Sequence, residues 1–234
     1  MTYAIVLAGG SGHRMGQDIP KQFINVYDKP ILIYTLENFQ NHPMIDEIVV
    51  VCINGWHDVL RAYAKQYAIT KLKLIISGGE SGQESIRNGV YALEGKATED
   101  DVIVIHDGVR PLVEDFVLSD VINIAKEKGN AVTSMPYNEQ IFVASKDNIS
   151  TEQYVPRELL RRVSTPQAYK FGLLDRAYQE AFEKKIGIYG SSYTNTMMVD
   201  LGYTLNFATG SDKNIKLTTK DNLDIFRSYL KAKE

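Results

Sequence analysis

The feature that most constrains this chain is the alternation of apolar strand patterns with helical patterns over residues 1–135. Each strand pattern is a short apolar run without polar alternation, which is typical of parallel strands that are covered on both faces. These runs are Tyr3–Ala8, Ile45–Ile53, Leu72–Ile76, Asp101–Ile105 and Ala131–Met135. The helical patterns between them are Pro30–Phe39, Trp56–Tyr67, Ser85–Leu93 and Phe116–Lys126. This order predicts an α/β fold with a doubly wound, mostly parallel sheet.

The pattern changes after Pro136. Two short strand patterns, Ile141–Val143 and Glu152–Val155, flank a polar turn and predict a β-hairpin arm within residues 137–160. Later segments are predicted as helices at Leu173–Lys184, Ser191–Leu201 and Lys220–Lys231, with a strand at Tyr203–Ala208. Because no repeat, low-complexity tract or linker interrupts the chain, residues 1–234 are predicted to form one domain. A projecting hairpin often serves oligomerisation, so we predict that the arm joins a homodimer.

Composition argues against several classes of function. The net charge of −3 argues against a nucleic-acid binder, which normally carries a basic surplus. Cys52 is the only cysteine and lies in an apolar run, so we expect a buried thiol and a reducing, cytoplasmic location. No signal-peptide pattern and no apolar run of roughly 20 residues is visible, so we expect no membrane association. The four histidines include no i,i+4 pair, which argues against a zinc site.

A glycine-rich loop follows the first strand directly and is the first candidate site. Gly9, Gly10 and Gly12 permit positive φ and lack a Cβ, so backbone N–H groups there can surround a phosphate. Arg14 and Lys21 add positive charge where that phosphate would lie. The loop lacks the third glycine of a dinucleotide fingerprint and the Gly-Lys-Ser/Thr of an ATP-type P-loop. A tight turn with two solvated cations is the alternative interpretation.

Other polar groups follow the remaining strands, at the edge where ligands bind in doubly wound sheets. Asp107 ends one strand and is a candidate to hold a divalent ion that bridges nucleotide phosphates. The alternative is a structural carboxylate that caps the turn at Gly108 or pairs with Arg110. Gly79 and Ser85 offer donors to a base or ribose, or serve an ordinary helix N-terminus.

Positive charges near the C-terminal half form a further candidate site. The run Arg157, Arg161 and Arg162 precedes Thr165, and a cation beside that threonine suits an anionic substrate. Lys216 lies in a loop after the last predicted strand and can approach a phosphate from the side opposite the glycine loop. Solvated charges are the alternative interpretation of both features.

Taken together, these motifs resemble the cytidylyltransferases that make CDP-linked polyols. The group includes 4-diphosphocytidyl-2-C-methylerythritol synthase of isoprenoid biosynthesis and ribitol-5-phosphate cytidylyltransferase of teichoic acid and capsule assembly. The stretches that carry the resemblance are Leu7–Met15, Pro20–Gln22, Gly78–Gly79 with Ser85, His106–Pro111, Thr165–Gln167 and Asn214–Thr218. The resemblance covers nearly the whole chain and implies a Rossmann-like nucleotidyltransferase fold.

The resemblance also implies the ligands and the roles of individual residues. It implies CTP as substrate, Mg²⁺ as cofactor and a homodimer joined through the hairpin arm. The catalytic residues it implies are Arg14, Lys21 and Lys216. The nucleotide-binding residues it implies are Leu7, Ala8, Gly9, Gly10, Gly12, Gly79, Ser85 and Asp107, with Asp107 also as the metal ligand. The acceptor-binding residues it implies are Arg157, Thr165 and Thr194.

Three departures from the family pattern lie where the acceptor tail and the partner subunit would meet. Gly82 stands at a usual arginine, Glu139–Gln140 replaces an Asp-Thr pair, and Thr194–Met198 replaces an acidic segment. Because the CTP half is intact, we predict cytidylyl transfer. The methylerythritol enzymes of this group usually keep the acidic pair that is lost here, so we predict that the acceptor is a polyol phosphate similar to ribitol 5-phosphate, for cell-surface glycan synthesis. The alternatives are 2-C-methyl-D-erythritol 4-phosphate as acceptor, and a non-catalytic or NAD(P)-binding α/β domain.

Overall fold

The computed structural model describes residues 1–10, 19–190 and 193–232. The strands in this part of the chain are β1 (Thr2–Ala8), β2 (Asn25–Val26), β3 (Lys29–Pro30), β4 (Glu47–Cys52), β5 (Leu72–Ser77), β6 (Val102–Asp107), β7 (Asn130–Pro136), β8 (Ile141–Ala144), β9 (Thr151–Val155), β10 (Arg161–Lys170) and β11 (Phe207–Thr209). The α-helices are α1 (Ile31–Asn41), α2 (His57–Gln66), α3 (Gly82–Tyr91), α4 (Asp115–Lys128), α5 (Phe171–Lys184), α6 (Thr194–Asp200) and α7 (Lys220–Lys231). None of these helices is long and apolar enough to cross a bilayer.

Seven of the strands form the central sheet, in the order β11-β7-β10-β6-β1-β4-β5. Strand β10 runs antiparallel to β6 and β7, and every other neighbouring pair in this sheet is parallel. The predicted mostly parallel α/β sheet is therefore confirmed. Because β1 and β6 lie side by side in parallel register, the glycine loop and Asp107 emerge at the same edge of the sheet.

The two faces of the sheet carry separate apolar cores. On β1, Ala4 and Val6 belong to the core under α1, α2 and α4, whereas Tyr3 and Ile5 belong to the core under α3, α5 and α6. All four side chains are buried, because successive residues of a strand point to opposite faces and both faces are covered. This double coverage explains why the strand sequences show no polar alternation.

A third, smaller core lies under α7. Phe226 of α7 packs edge-on against Tyr34 of α1, with ring centroids 5.2 Å apart. Leu217 is fully buried in the same core. The burial of Leu217 holds the loop that carries Lys216 against the body of the protein.

Strand β10 is absent from the sequence-based prediction, which interpreted its first residues as a charge-rich segment. The sequence conceals the strand because Arg161 and Arg162 begin it and Pro166 interrupts its ladder. The register with β7 shifts between Ser164 and Gln167, around a proline that cannot donate a ladder hydrogen bond. Hydrogen bonding to β6 on one side and β7 on the other stabilises the strand despite the low strand propensity of these residues.

Two later predictions are wrong in extent. The strand predicted at Tyr203–Ala208 is observed only at Phe207–Thr209. The helix predicted from Ser191 is observed from Thr194 to Asp200, while residues 191–192 lie outside the described part of the chain.

The predicted hairpin is present as a separate two-stranded sheet of β8 and β9. Its paired residues Phe142 and Tyr154 are 56% and 70% exposed, and Ile149 and Leu159 are 84% and 77% exposed. The arm therefore presents apolar side chains away from the cores of the sheet. Its role in dimerisation stays a prediction, as does the assignment of residues 1–234 to one domain.

Candidate active site

A cavity of about 450 Å³ lies at the carboxyl ends of β1 and β6. Eleven of the residues predicted from the sequence line it. They are Leu7, Ala8, Gly9, Gly10, Lys21, Gly79, Ser85, Asp107, Thr165, Thr194 and Lys216. Gly12 and Arg14 lie outside the described residues, so their predicted roles stay predictions. Arg157 lies on the exposed arm and is not part of the cavity wall.

The start of the glycine loop is held by Gln22, which sequence reasoning did not assign to the site. Gln22 is 1% exposed, and its Nε2 donates to Ala8 O at 2.7 Å and to Gly10 O at 3.1 Å. Both carbonyls are thereby directed toward Gln22, which holds the described start of the loop, Gly9 and Gly10, at the cavity wall. The neighbouring Lys21 lines the cavity. In the sequence, Gln22 is marked only by its position beside Lys21 in the Pro20–Gln22 motif.

Asp107 lies between two cations on the opposite wall. Arg110 Nε donates to Asp107 Oδ2 at 2.9 Å, and Lys216 Nζ donates to Asp107 Oδ1 at 3.0 Å. Burial acts to raise the pKa of Asp107, but the charges of Lys216 and Arg110 outweigh it and lower the pKa to about 2. The carboxylate is therefore ionised at neutral pH. The interpretation of Asp107 as a partner of Arg110 is confirmed, and its role as a metal ligand stays a prediction.

Arg110 connects this wall to the loop of Lys216. Its Nη1 donates to Asn214 O at 2.7 Å, and Asn214 Nδ2 donates to Thr165 O at 2.7 Å. Thr165 Oγ1 in turn accepts from the backbone N–H of Asp107 at 3.1 Å. Three segments that are distant in the sequence are therefore joined by direct hydrogen bonds around one carboxylate.

His106 supports this wall from behind. It is fully buried, and its Nε2 lies 3.1 Å from Arg110 O. Burial lowers the pKa of His106 to about 4, so the imidazole is neutral at pH 7 and Nε2 is its donor to the carbonyl. His106 thus holds the turn that carries Arg110 without adding charge beside the two cations.

The far end of the cavity is built from the loop before α3. Ser85 Oγ accepts from Gly79 N at 3.0 Å and donates to Ser81 O at 2.9 Å. The N-cap of α3 is Ser81, which accepts from Glu84 N at 3.1 Å, so the interpretation of Ser85 as an N-cap is wrong. A Cβ on Gly79 would lie 2.3 Å from Glu84 Cβ, so this close approach requires glycine.

The remaining wall consists of Thr165 and Gln167 of β10 together with Tyr193 and Thr194 at the start of α6. Sequence reasoning did not assign Gln167 or Tyr193 to the site, because neither β10 nor the position of α6 was evident. Gly82 also lines the cavity, and a Cβ there would meet no atom within 4 Å. This wall is thus more open at Gly82 and carries hydroxyl and amide groups rather than charge.

Comparison with known proteins identifies the family. The family described as IspD, 2-C-methyl-D-erythritol 4-phosphate cytidylyltransferase, matches residues 2–232. The chain belongs to this family. A ribitol-5-phosphate cytidylyltransferase of Lacticaseibacillus paracasei is 59% identical over 234 residues, which cover 100% of both chains. A 2-C-methyl-D-erythritol 4-phosphate cytidylyltransferase of Syntrophus aciditrophicus is 36% identical over 233 residues, covering 99% of this chain and 96% of its own.

A solved structure shares the fold of this cytidylyltransferase. The crystal structure of 4-diphosphocytidyl-2C-methyl-D-erythritol synthase from Anaerococcus prevotii superposes with a TM-score of 0.84 at 22% identity. The match covers 98% of this chain and 96% of the other. The fold and the CTP-dependent nucleotidyltransferase class predicted from the sequence are confirmed, and the NAD(P)-binding alternative has no support.

Proposed function

We propose that this chain transfers the cytidylyl group of CTP to ribitol 5-phosphate, giving CDP-ribitol and pyrophosphate. The observation that carries the choice of acceptor is the 59% identity, over the full length, to a ribitol-5-phosphate cytidylyltransferase. The relative named for 2-C-methyl-D-erythritol 4-phosphate is only 36% identical. The product would supply ribitol phosphate for cell-surface glycan synthesis, and the methylerythritol reaction is the alternative.

CTP would bind along the wall that runs from the glycine loop to α3. Backbone N–H groups from Gly9 to Gly12, together with Arg14 and Lys21, would bind the triphosphate. The loop at Gly79 and the hydroxyl of Ser85 would lie beside the cytosine and ribose. The close packing of Gly79 on Glu84 supports this, because it leaves a backbone edge rather than a side chain at the cavity.

The reaction needs positioning and charge rather than a strong base. An oxygen of the acceptor phosphate, already anionic, attacks the α-phosphorus of CTP and forms the new P–O bond. The bond from the α-phosphorus to the bridging oxygen breaks, and its electron pair leaves with pyrophosphate. Lys216, at 3.0 Å from Asp107 on the cavity wall, would offset the repulsion between the two phosphates and stabilise charge on the α-phosphate.

Mg²⁺ is part of the proposal, and the residues of the cavity fit it. No group of three or more His, Cys, Asp or Glu side chains suited to a metal ion occurs in the described residues, so a cage built only of protein is not available there. Mg²⁺ is commonly held by one or two carboxylates and by substrate phosphates, and Asp107 supplies such a carboxylate, ionised because its pKa is about 2. When bound, Mg²⁺ would neutralise charge on the phosphates. Asp107 would hold it while keeping its hydrogen bond from Arg110.

Two copies of the chain would pair through the arm, residues 137–160. The exposed Phe142, Tyr154 and Leu159 support this, because an apolar surface of this kind is usually covered by a partner. Arg157 lies on the same arm, outside the cavity of its own chain. Its predicted contact with the acceptor phosphate would therefore be made in the cavity of the partner.

Replacing both Phe142 and Tyr154 by serine is expected to convert a dimer into a monomer. These paired side chains are 56% and 70% exposed, so the change removes apolar contact area without opening either core of the sheet. Sedimentation velocity gives the mass of wild type and variant, with Ile225→Ser on α7, also exposed, as the control that stays dimeric. A wild-type chain that sediments as a monomer at micromolar concentration would contradict the proposal.

We place the reaction in the cytoplasm. Cys52 is fully buried and is the single cysteine of the sequence, which fits a reducing compartment.

The decisive experiment measures pyrophosphate release from CTP and Mg²⁺ with a panel of acceptors. We expect ribitol 5-phosphate to give a kcat/KM at least about a hundredfold above that of 2-C-methyl-D-erythritol 4-phosphate. Arabinitol 5-phosphate and glycerol 3-phosphate complete the panel. A higher kcat/KM with 2-C-methyl-D-erythritol 4-phosphate would overturn the choice of acceptor, and no release with any of the four would overturn the function.

A further inference from the structure

A buried chain of hydrogen bonds ends at the cavity wall and has no part in the steps described above. Tyr178 of α5 is fully buried, and its hydroxyl lies 3.0 Å from Gln83 Oε1 and 2.8 Å from Thr194 Oγ1. Gln83 of α3 is 2% exposed, and its Nε2 donates to Gly187 O at 2.7 Å. These hydrogen bonds thus link α3, α5 and the loop at Gly187 to Thr194 of α6, which lines the cavity.

The loop that carries Gly187, at one end of this series of hydrogen bonds, is closely packed. Gly187 has a φ of +61°, and a Cβ there would lie 2.7 Å from the Cα of Met197 in α6. Glycine alone allows this approach of the loop to the helix. The carbonyl that receives the hydrogen bond from Gln83 is therefore held against the same helix that begins with Thr194.

Only one assignment of donors and acceptors allows all of these hydrogen bonds to form at once. Gln83 Nε2 must face the Gly187 carbonyl, because the flipped amide would place two oxygens 2.7 Å apart. Gln83 Oε1 then faces Tyr178 and can only accept. Burial raises the pKa of Tyr178, so its hydroxyl keeps its proton and donates it to Gln83. The tyrosine oxygen consequently accepts the proton of the Thr194 hydroxyl.

We propose that Tyr178 and Gln83 are positioning residues that make Thr194 a hydrogen-bond acceptor for a hydroxyl group of the polyol substrate. The inference rests on the proposed function. Because the proton of Thr194 is engaged inside the protein, Oγ1 offers a ligand only lone pairs. A phosphate dianion has no proton to donate and gains nothing there, whereas each hydroxyl of a sugar alcohol can donate. Thr194 therefore selects the polyol tail, and the cations that line the cavity, Lys21 and Lys216, bind the phosphates.

Replacing Tyr178 by phenylalanine tests the positioning role. We expect the KM for ribitol 5-phosphate to rise about tenfold while the KM for CTP stays within about twofold, since one oriented hydrogen bond is lost. The matched control is Tyr34→Phe, which removes a hydroxyl that donates to Val26 O at 2.7 Å and does not line the cavity. A purely structural role would lower the melting temperature of both variants and raise neither KM selectively. That outcome would overturn the inference.

Analogues of ribitol 5-phosphate that each lack one hydroxyl test the direction of the hydrogen bond. The wild type is expected to use one of them about tenfold less well than the parent. Thr194→Ser, which keeps a hydroxyl, is expected to retain this discrimination, whereas Thr194→Val is expected to lose it. This pair also decides the question if Tyr178→Phe does not fold. Equal use of all analogues by an active wild type overturns the inference alone, whereas an inactive wild type overturns the proposed function with it.

Discussion

Replacing Lys216 by alanine is expected to lower kcat for pyrophosphate release about a hundredfold to a thousandfold. Its Nζ lies 3.0 Å from Asp107 Oδ1 on the cavity wall, which places a preorganised positive charge where two phosphates would meet. Loss of such a charge raises the barrier because water that replaces it must be reorganised around the developing charge, which costs free energy. The side chain is 33% exposed, so its removal is expected to change the melting temperature by only a few degrees.

Lys213 provides a matched control on the same loop. Its Nζ pairs with Glu114 Oε1 at 3.0 Å, and it does not line the cavity. Lys213→Ala therefore removes an equal charge and a similar ion pair three residues away. Steady-state kinetics of both variants, with melting curves, separate a local role from a general effect of charge. Equal kcat values for Lys216→Ala and wild type would show that the assignment of this lysine is wrong.

Replacing Asp107 by asparagine is expected to reduce kcat/KM by a similar hundredfold or more and to raise the Mg²⁺ concentration that gives half the maximal rate. Asparagine keeps the shape of the side chain but removes the charge that faces both Arg110 and Lys216. The two cations then repel each other without a shared counter-ion, and the proposed metal ligand is lost. Initial rates at varied ribitol 5-phosphate and saturating CTP, repeated over a range of Mg²⁺ concentrations, measure both effects.

Asp101 is the control for Asp107 because the two residues lie at opposite ends of the same strand. Asp101 precedes β6, is mostly buried and pairs with the N-terminal ammonium group, at the end of the strand away from the cavity. Asp101→Asn is expected to lower stability without changing the dependence of the rate on Mg²⁺. If both variants required the same extra Mg²⁺, the metal-ligand role of Asp107 would be contradicted.

Acid unfolding provides a second readout for Asp107. Its pKa is about 2 in the folded protein against an ordinary value of 3.8, so the carboxylate stabilises the fold above pH 3.8. This contribution is lost as the pH falls toward 2, because the unfolded chain binds the proton first. Between pH 6 and pH 3, the unfolding free energy of wild type is expected to fall about 1 kcal/mol more than that of Asp107→Asn. Urea titrations at the two pH values measure the difference.

The sequence was most informative where a residue's neighbours in the chain determine its position. Apolar runs such as Tyr3–Ala8 predicted buried parallel strands, and the order of the elements predicted that their carboxyl ends share one edge. Polar residues just after those strands, such as Asp107 and Gly79, therefore had to lie near one another. This is why most of the predicted site residues line a single cavity.

The sequence was least informative for polar groups whose partners are distant along the chain. Gln22 belongs to the Pro20–Gln22 motif but was given no role, and no motif marks Tyr178, yet each is buried and bonded to groups that line the cavity. Strand β10 was missed for a related reason, since its arginines and proline are unfavourable until β6 and β7 pair with it. Arg157 lies on the predicted arm and not on the cavity wall of its own chain, so its predicted contact with the acceptor stays a prediction.

The sequence by itself determined the α/β class, the glycine loop and the family, because these depend on local periodicity and on motifs at short spacing. Only the tertiary structure decided which polar side chains meet. Lys216 and Asp107 are 109 positions apart, and Tyr178 and Gln83 are 95 apart. No local pattern encodes such a pairing, since each side chain finds its partner only after the sheet and its helices have packed.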